Sequence, residues 1–458
     1  MTRSLAAVAL TCALAITPSC ADPTLVPAST ADTPAPGPRP AAPGATDWPT
    51  FLGPTRDGVS TEKGIIAPWP AEGLRKVWDC ELGLGYAAPV VARGKLFHAD
   101  RFTDNIRLTA READTGKFLW KYEYPTEYED RYGYEPGPRA CPVADGDRVY
   151  LHGPDGVLCC VDATIGKEVW KVDTRAKFFF QQNFFGAGSV PVIDGDLLIL
   201  PVGGSAKGPR PVDFRDVKSN DTALVAFDKK TGEVKYAAGH ELASYSSPVI
   251  TTISGKKTGL YFARGGLLGF DPQTGKTEFH YPWRARVMES VNASNPVVVG
   301  DKVLITECYG PGTAFLDLKG GKPKEIWTDK EKDSVDRSLA CHWNTPIHID
   351  GFVYGSSGRN TEDADIRCLE LATGDLKWRQ KRTKRCNFTL VDGHLVSLSE
   401  YGALALIKPN ADKYQELSKY DVPGLEYPCW AAPVVSNGLL YVRGKEKLLA
   451  LELIPAKK

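Results

Sequence analysis

The sequence predicts an all-β protein: an eight-bladed β-propeller of four-stranded antiparallel blades, its ring closed by a strand from the N-terminal part of the chain. Three observations predict it. One phrase recurs eight times between residues 74 and 458. Each recurrence carries two tight-turn signals at fixed places within it. The chain holds 44 Gly and 34 Pro yet is 42% hydrophobic, a composition of many turns between short buried strands.

The phrase is a small residue and Pro, an apolar run, Asp-Gly or an equivalent, a second apolar run, an apolar-Asp pair, Thr-Gly, and an aromatic. The first copy has Pro89-Val90, Arg93-Gly94, Asp114-Thr115-Gly116 and Trp120. The second has Pro142-Val143, Asp145-Gly146, Asp162, Gly166 and Trp170. The third has Pro191-Val192, Asp194-Gly195, Thr231-Gly232 and Tyr236, and the fourth Pro248-Val249, Thr274-Gly275 and Phe279. The fifth has Pro296-Val297, Gly300-Asp301, Gly320-Gly321 and Trp327, and the sixth Pro346, Asp350-Gly351, Thr373-Gly374 and Trp378. The seventh keeps Asp392-Gly393 but has Pro409-Asn410 in place of Thr-Gly; the eighth has Pro433-Val434 and Asn437-Gly438 and stops before its last strand.

Asp-Gly and Asn-Gly are hairpin turns because Gly accepts positive φ. The Asp before Thr-Gly can accept from the turn amides. The aromatic that follows falls on the outermost strand, where it can pack between neighbouring sheets. A spacing of about 40 to 60 residues fits propeller blades. Leu74-Arg75-Lys76-Val77-Trp78 resembles Lys167-Glu168-Val169-Trp170, so it is expected to supply the missing outer strand of the eighth blade and to leave the ring without an open edge.

Residues 1–21 read as an export segment. Arg3 gives the positive start, and Ser4 to Ile16 is an apolar stretch too short to span a bilayer. Ser19 and Ala21 fit cleavage before Asp22. Cys20 offers a second reading, lipidation after cleavage, although Thr17 stands where an aliphatic residue is usual. Both readings stand, and both take the protein out of the cytoplasm. Residues 22–46 are Pro-, Ala- and Thr-rich and are expected to be an extended tether, leaving 47–458 as the propeller. Charges balance, 56 basic and 56 acidic, and no basic run carries interleaved aromatics, which argues against nucleic acid. Membrane contact is expected only through an N-terminal lipid anchor, and the protein is expected to be a monomer.

The phrase Asp-x-x-Thr-Gly-x-x-x-Trp resembles the tryptophan-docking motif of the PQQ-binding-like, quinoprotein-type β-propeller repeat family, which includes BamB-like exported bacterial proteins. Asp47-Trp48-Pro49-Thr50-Phe51-Leu52-Gly53-Pro54 resembles the opening of many such proteins. The resemblance implies the fold and a periplasmic or outer-membrane-tethered location. It leaves two functions open, because some relatives are PQQ-dependent dehydrogenases and others are scaffolds without a quinone. The dehydrogenases use calcium, an Asp base, a stacking Trp and, in many cases, a vicinal disulfide. Cys159-Cys160 is such a pair, but it lies within Gly156 to Asp162, a predicted third strand. Adjacent side chains of a strand point to opposite faces, so two small apolar fillers are expected there. No CxxCH, HExxH, phosphate loop or GxSxG is present. Cys141, Cys341, His342, Cys386 and Cys429 fall near inner-strand starts and are read as isolated thiols and an imidazole rather than a metal site.

In a meander, turns alternate between two faces. The face with the Asp-Gly and Thr-Gly turns is tight throughout. The other takes nearly every insertion: Pro125 to Arg139, Thr174 to Ser189, Gly203 to Thr222, Arg284 to Ser294, Lys330 to Asn344, and Ser356 to Arg367. Long loops on a rigid scaffold are where binding concentrates. The inner-strand starts on that face give the candidate ligand residues Tyr86, Arg139, Tyr245, Asn292, His342, Asn344, Asn387 and Trp430, with Gly188 beside them. Arg139, the one certain cation, is the expected contact for an anionic group, and Trp430 the expected stacking surface. The link from Phe178 to Phe185, with five phenylalanines, is expected to form a lid over the mouth. The function read from the sequence is a non-catalytic binding or scaffolding propeller of the cell envelope, for an envelope protein or a small polar ligand, with no catalytic residue, metal or cofactor expected. The alternative is a PQQ- and calcium-dependent oxidoreductase acting on alcohols or sugars.

Overall fold

The computed structural model describes residues 44–181, 184–206 and 217–456. The export segment, Cys20 and residues 22–43 of the tether lie outside the described residues. Alternation of apolar and polar residues between tight turns makes eight antiparallel meanders arranged as the blades of a ring. Blade 1 runs outward through Val90–Ala92, Lys95–Phe102, Asn105–Glu112 and Phe118–Pro125. Blade 2 follows with Val143–Asp145, Arg148–His152, Val157–Asp162 and Glu168–Asp173. Most inner strands have three residues, as Val192–Asp194, Val297–Val299 and Ile347–Ile349 in blades 3, 5 and 6. The helix Thr174–Phe178 is a single turn capped by Asp173, and no helix among the described residues is long and apolar enough to cross a membrane.

Ring closure follows the sequence expectation. The eighth blade holds Val434–Ser436, Leu439–Arg443 and Lys447–Glu452, and its outer strand is Lys76–Glu81, antiparallel with Trp78 opposite Ala450. The indole Nε1 of Trp78 donates to Ala113 O of blade 1 at 2.8 Å. A Cβ at Gly116, whose φ is +73°, would sit 2.6 Å from that indole. Glycine is required there twice over, by the turn and by the ring lying on it. Trp120 on Gly166, Trp170 on Gly232 and Trp327 on Gly374 repeat the arrangement, each with an indole N–H to a turn carbonyl of the next blade. Burying an indole removes on the order of 200 Å² from water, a contribution of a few kcal/mol per seam. In blade 7, Asn410, expected with Pro409 at the Thr-Gly place, stands instead at the Asp of the motif: its Oδ1 accepts from Asp412 N and Lys413 N, and its carbonyl accepts from Trp378. The fourth copy departs from the pattern. Phe279 lies on Gly269 of its own blade, and Gly320 of the next has no neighbour within 4 Å; Trp283 spans that seam instead, donating to Gly312 O.

The opening of the propeller segment does more than lead into blade 8. Thr46 O accepts from Ser436 Oγ of blade 8. Trp48 exchanges two backbone hydrogen bonds with Val91 of blade 1, and Pro49 O accepts from Ala144 N of blade 2. Arg56 Nη2 donates to Pro191 O beside blade 3, Gly58 packs on Ile347 of blade 6, and Val59–Ser60 pairs in parallel with the inner strand of blade 7. Glu62 is fully buried and accepts from the backbone N–H of Thr46, Asn437 and Gly438. Residues 46–62 therefore cross the axis at the tight-turn end and tie the inner strands of six blades together.

Candidate functional site

The long-loop face opens into a cavity of about 200 Å³ on the axis. Phe51, from the crossing segment, is part of its lining. Of the sequence-derived candidates, Tyr86, Arg139, Gly188, Tyr245, His342, Asn387 and Trp430 line it. Asn292 and Asn344 do not. Asn292 is fully buried and donates to Ala263 O at 2.7 Å; Asn344 donates to Ser356 O and accepts from Ser356 N. Both sit at inner-strand starts, but their amides hold the backbone of the link around them, as buried polar groups must.

The wall is built by short-range chemistry in each loop. In the link after blade 1, Asp130 Oδ1 accepts from Tyr132 N and Tyr134 N, and Oδ2 accepts from Arg139 Nη2 at 2.7 Å. Asp130 has no exposed side-chain surface, so this one carboxylate both folds the loop and neutralises Arg139. That corrects the expectation of a cation free for an anionic ligand. Tyr86 OH accepts from Glu135 N, and burial pushes the phenol up to about 12. Tyr245 OH accepts from Phe185 N at 2.7 Å; a Cβ at Gly188 would lie 2.6 Å from the Tyr245 ring, so a side chain there would displace it.

Across the cavity, Arg385 donates to Glu400 through Nε and Nη2, the latter at 2.6 Å. Burial opposes ionisation of Glu400, but the hydrogen bonds and charge of Arg385 outweigh it and hold the carboxyl below its usual range. Arg385 also lies 4.2 Å from the ring centre of Trp343 and donates to His342 Nδ1 at 3.3 Å. Burial first, then the Arg385 and Arg359 charges, drive His342 down to about 3, so it is neutral at physiological pH. With Nδ1 accepting, its Nε2–H faces Tyr309 OH at 2.9 Å. Trp430 packs against Tyr86 at 4.8 Å, Trp343 at 5.2 Å and Tyr134 at 5.7 Å between ring centres, and its Nε1 donates to Glu400.

Sequence reasoning missed Arg385, Trp343, Tyr134 and Phe51. Arg385 stands two residues before Asn387 in the one inner strand without a preceding Pro, so the repeat gave no register there. Trp343 lies between two named positions, and only strand alternation could have separated it from Asn344. Of the five link phenylalanines, Phe180 and Phe184 are buried, Phe179 is exposed, and Phe185 lines the cavity.

Asp130 and Glu400 are already taken by arginines, and among the described residues no three His, Cys, Asp or Glu converge. Cys159 and Cys160 are free, buried thiols in a regular strand. Cys160 is pushed up to about 12 by burial.

The chain resembles known proteins along most of its length. The family described as outer membrane protein assembly factor BamB matches residues 63–213 and 142–380. The chain is 23% identical over 402 residues to the outer membrane protein assembly factor BamB of Burkholderia pseudomallei, spanning 85% of this chain and 90% of that one. It is 29% identical over 155 residues to the dehydrogenase subunit of the quinone alcohol dehydrogenase of Acetobacter aceti, spanning 33% of this chain and 19% of the other. In structure it is similar to BamB of Moraxella catarrhalis, with a TM-score of 0.54 and 15% identity over 83% of this chain and all of that one.

Proposed function

The chain belongs to the BamB family of outer membrane protein assembly factors, and from that premise we propose that it is a non-catalytic scaffold of the bacterial envelope that holds an assembly partner on its long-loop face. The observation that carries the reading is the state of the mouth. Its arginines are each neutralised by a buried carboxylate, its histidine is neutral, and its surface is aromatic. A catalytic mouth keeps an acid or base poised for proton transfer; a rigid, charge-paired aromatic wall suits recognition. The full-length relative named as an assembly factor supports the same reading, whereas the quinone enzymes match about a third of this chain.

Capture from envelope extract on immobilised protein, with captured proteins identified by mass, tests it. Recovery of an outer-membrane assembly protein is expected, weakened by Trp430→Ala and by Arg139→Ala, and unchanged by Asp145→Ala on the opposite face. Dye reduction with an alcohol or sugar that depends on added PQQ and calcium would overturn it.

A further inference from the structure

We propose that the long-loop mouth also binds a saccharide, and that the ligand is an uncharged sugar chain laid across an aromatic track centred on Trp430. The inference rests on the reading of this face as a binding surface, but it assigns a ligand of another class. The track is continuous. Tyr132 meets Phe185 at 5.5 Å, Phe185 meets Tyr134 at 5.5 Å, and Tyr134 meets Trp430 at 5.7 Å. Trp430 then meets Tyr427 at 5.9 Å, and Tyr427 meets Tyr401 at 4.9 Å. The four tyrosines are 41–51% exposed, although large apolar surfaces left in water generally mark a partner. They come from the link between blades 1 and 2, from blade 7 and from the link between blades 7 and 8, all on the long-loop face.

Three features select a sugar among the ligands that aromatic surfaces attract. The first is charge: the two arginines that line the cavity are each paired, Arg139 with Asp130 and Arg385 with Glu400, so an anion or a cation held against this lining would be desolvated without a free counter-charge from it. The second is ring geometry. Trp430 makes interplanar angles of 45°, 47°, 60° and 84° with Tyr86, Trp343, Tyr134 and Tyr427. Tilted rings offer no parallel slot for a flat conjugated molecule, but they suit the puckered C–H faces of pyranoses. The third is polar chemistry. Arg139 uses two of its N–H groups on Asp130 and Gly137 O, and Asn387 uses its Nδ2 on Trp430 O. The remaining guanidinium N–H groups and the Asn387 carbonyl oxygen pair a donor with an acceptor in the cavity wall, the complement of hydroxyl groups, which do both. A polypeptide strand would instead seek a long free strand edge. Here most inner strands have three residues, and residues 46–60 already take the edges of blades 1 and 7.

The test is titration of the full chain with maltohexaose, cellohexaose and chitohexaose, read by tryptophan fluorescence and calorimetry. At least one should bind saturably, and its disaccharide should bind about tenfold or more weakly, because it spans less of the track. Trp430→Ala should abolish the fluorescence response. Tyr427→Ala and Tyr132→Ala, which change only half-exposed rings, should each weaken binding about threefold, with Asp145→Ala unchanged. No binding of any hexasaccharide at millimolar concentration overturns the proposal, as does binding that survives both tyrosine changes, or saturable binding at this mouth of an aromatic-rich peptide and of no sugar. Capture of an assembly protein is measured separately. Its persistence in a chain that binds no sugar overturns this inference and leaves the scaffold reading intact.

Discussion

The tight-turn face and the long-loop face are made by the same eight blades and are held by different means. On the tight-turn face the contacts repeat: an outer-strand indole lies on the next blade's turn glycine and donates to a turn carbonyl at four seams, from blade 8 to 1, 1 to 2, 2 to 3 and 5 to 6. One non-repeating segment, residues 46–62, then ties the inner strands together. On the long-loop face the described links are each organised around their own residues. Asp130 organises one link, Glu400 another, and Tyr245 with Gly188 a third. Repetition spreads stability evenly around the ring, while singular contacts shape one asymmetric cavity. Damage to the first face should therefore be global, and damage to the second local.

Truncation is the strongest way to break that contrast. Removing residues 1–80 deletes both the crossing segment and Trp78, opening the ring at blade 8, and should lower the melting temperature by about 10 °C or more or leave the chain insoluble. Removing 1–66 keeps Trp78 but frees the inner strands and the Glu62 contacts, and should give an intermediate loss. Removing 1–43 should change nothing measurable. Equal melting curves for the longest and shortest deletions would mean that the ring does not depend on its closing strand.

A subtler change on the same face compares two glycines. Gly94 and Gly116 have φ of +72° and +73°, but an added Cβ meets nothing within 4 Å at Gly94 and the Trp78 ring at 2.6 Å at Gly116. Gly94→Ala should cost about 1 kcal/mol for its backbone alone. Gly116→Ala adds the displacement of the indole, about 3 kcal/mol in all. Urea unfolding of both variants checks it; equal costs would remove the docking seam from the account of ring closure.

On the long-loop face, Glu400→Gln keeps the size of the side chain and removes its charge. Arg385 then faces the cavity without its counter-charge, at a cost of about 2 kcal/mol. The carboxyl is held below its usual range in the folded protein, so its contribution is fully present above the unfolded value of about 4.3 and is lost as pH falls through the folded value. The melting-temperature gap between wild type and E400Q should be constant from neutral pH down to about 5 and close below about 4. A gap that persists in acid would show that the carboxylate charge is not what Arg385 needs.

The same contrast explains what could be read from the sequence. The blades, the closing strand at Trp78 and the capping role of the motif Asp were legible because each is stated many times over; even the aberrant Pro409-Asn410 kept its chemistry. The mouth is stated once. Inner-strand starts could be counted from the prolines, which placed Tyr86, Tyr245 and Trp430, but a start position does not say whether a side chain turns to the axis or back to its own link, which is why Asn292 and Asn344 were placed with them. Arg385 and Phe51 needed information from outside the repeat: a strand without its Pro, and a segment whose partners lie as much as 390 residues away.

The change expected to leave both faces untouched is at Cys159 and Cys160, which belong to neither. Cys159 pairs across the strands with Leu151 and Lys171, and Cys160 with Tyr150 and Trp170. Successive side chains of this regular strand therefore point into different layers of the blade. Both are fully buried, and burial raises both thiols, leaving neither as a thiolate at neutral pH. Replacing both with Ala removes two sulfurs from a packed core without disturbing the ladder, and should cost about 1–3 kcal/mol while leaving partner capture and sugar binding as in the parent. Without any reductant, alkylation after unfolding should label both thiols, since a disulfide between them would have to break the pairing of Cys159 with Leu151 or of Cys160 with Tyr150. A pair that resists alkylation until reduced, joined by loss of a quinone-dependent activity in the double variant, would move the chemistry of this protein from its mouth into blade 2 and restore the oxidoreductase reading.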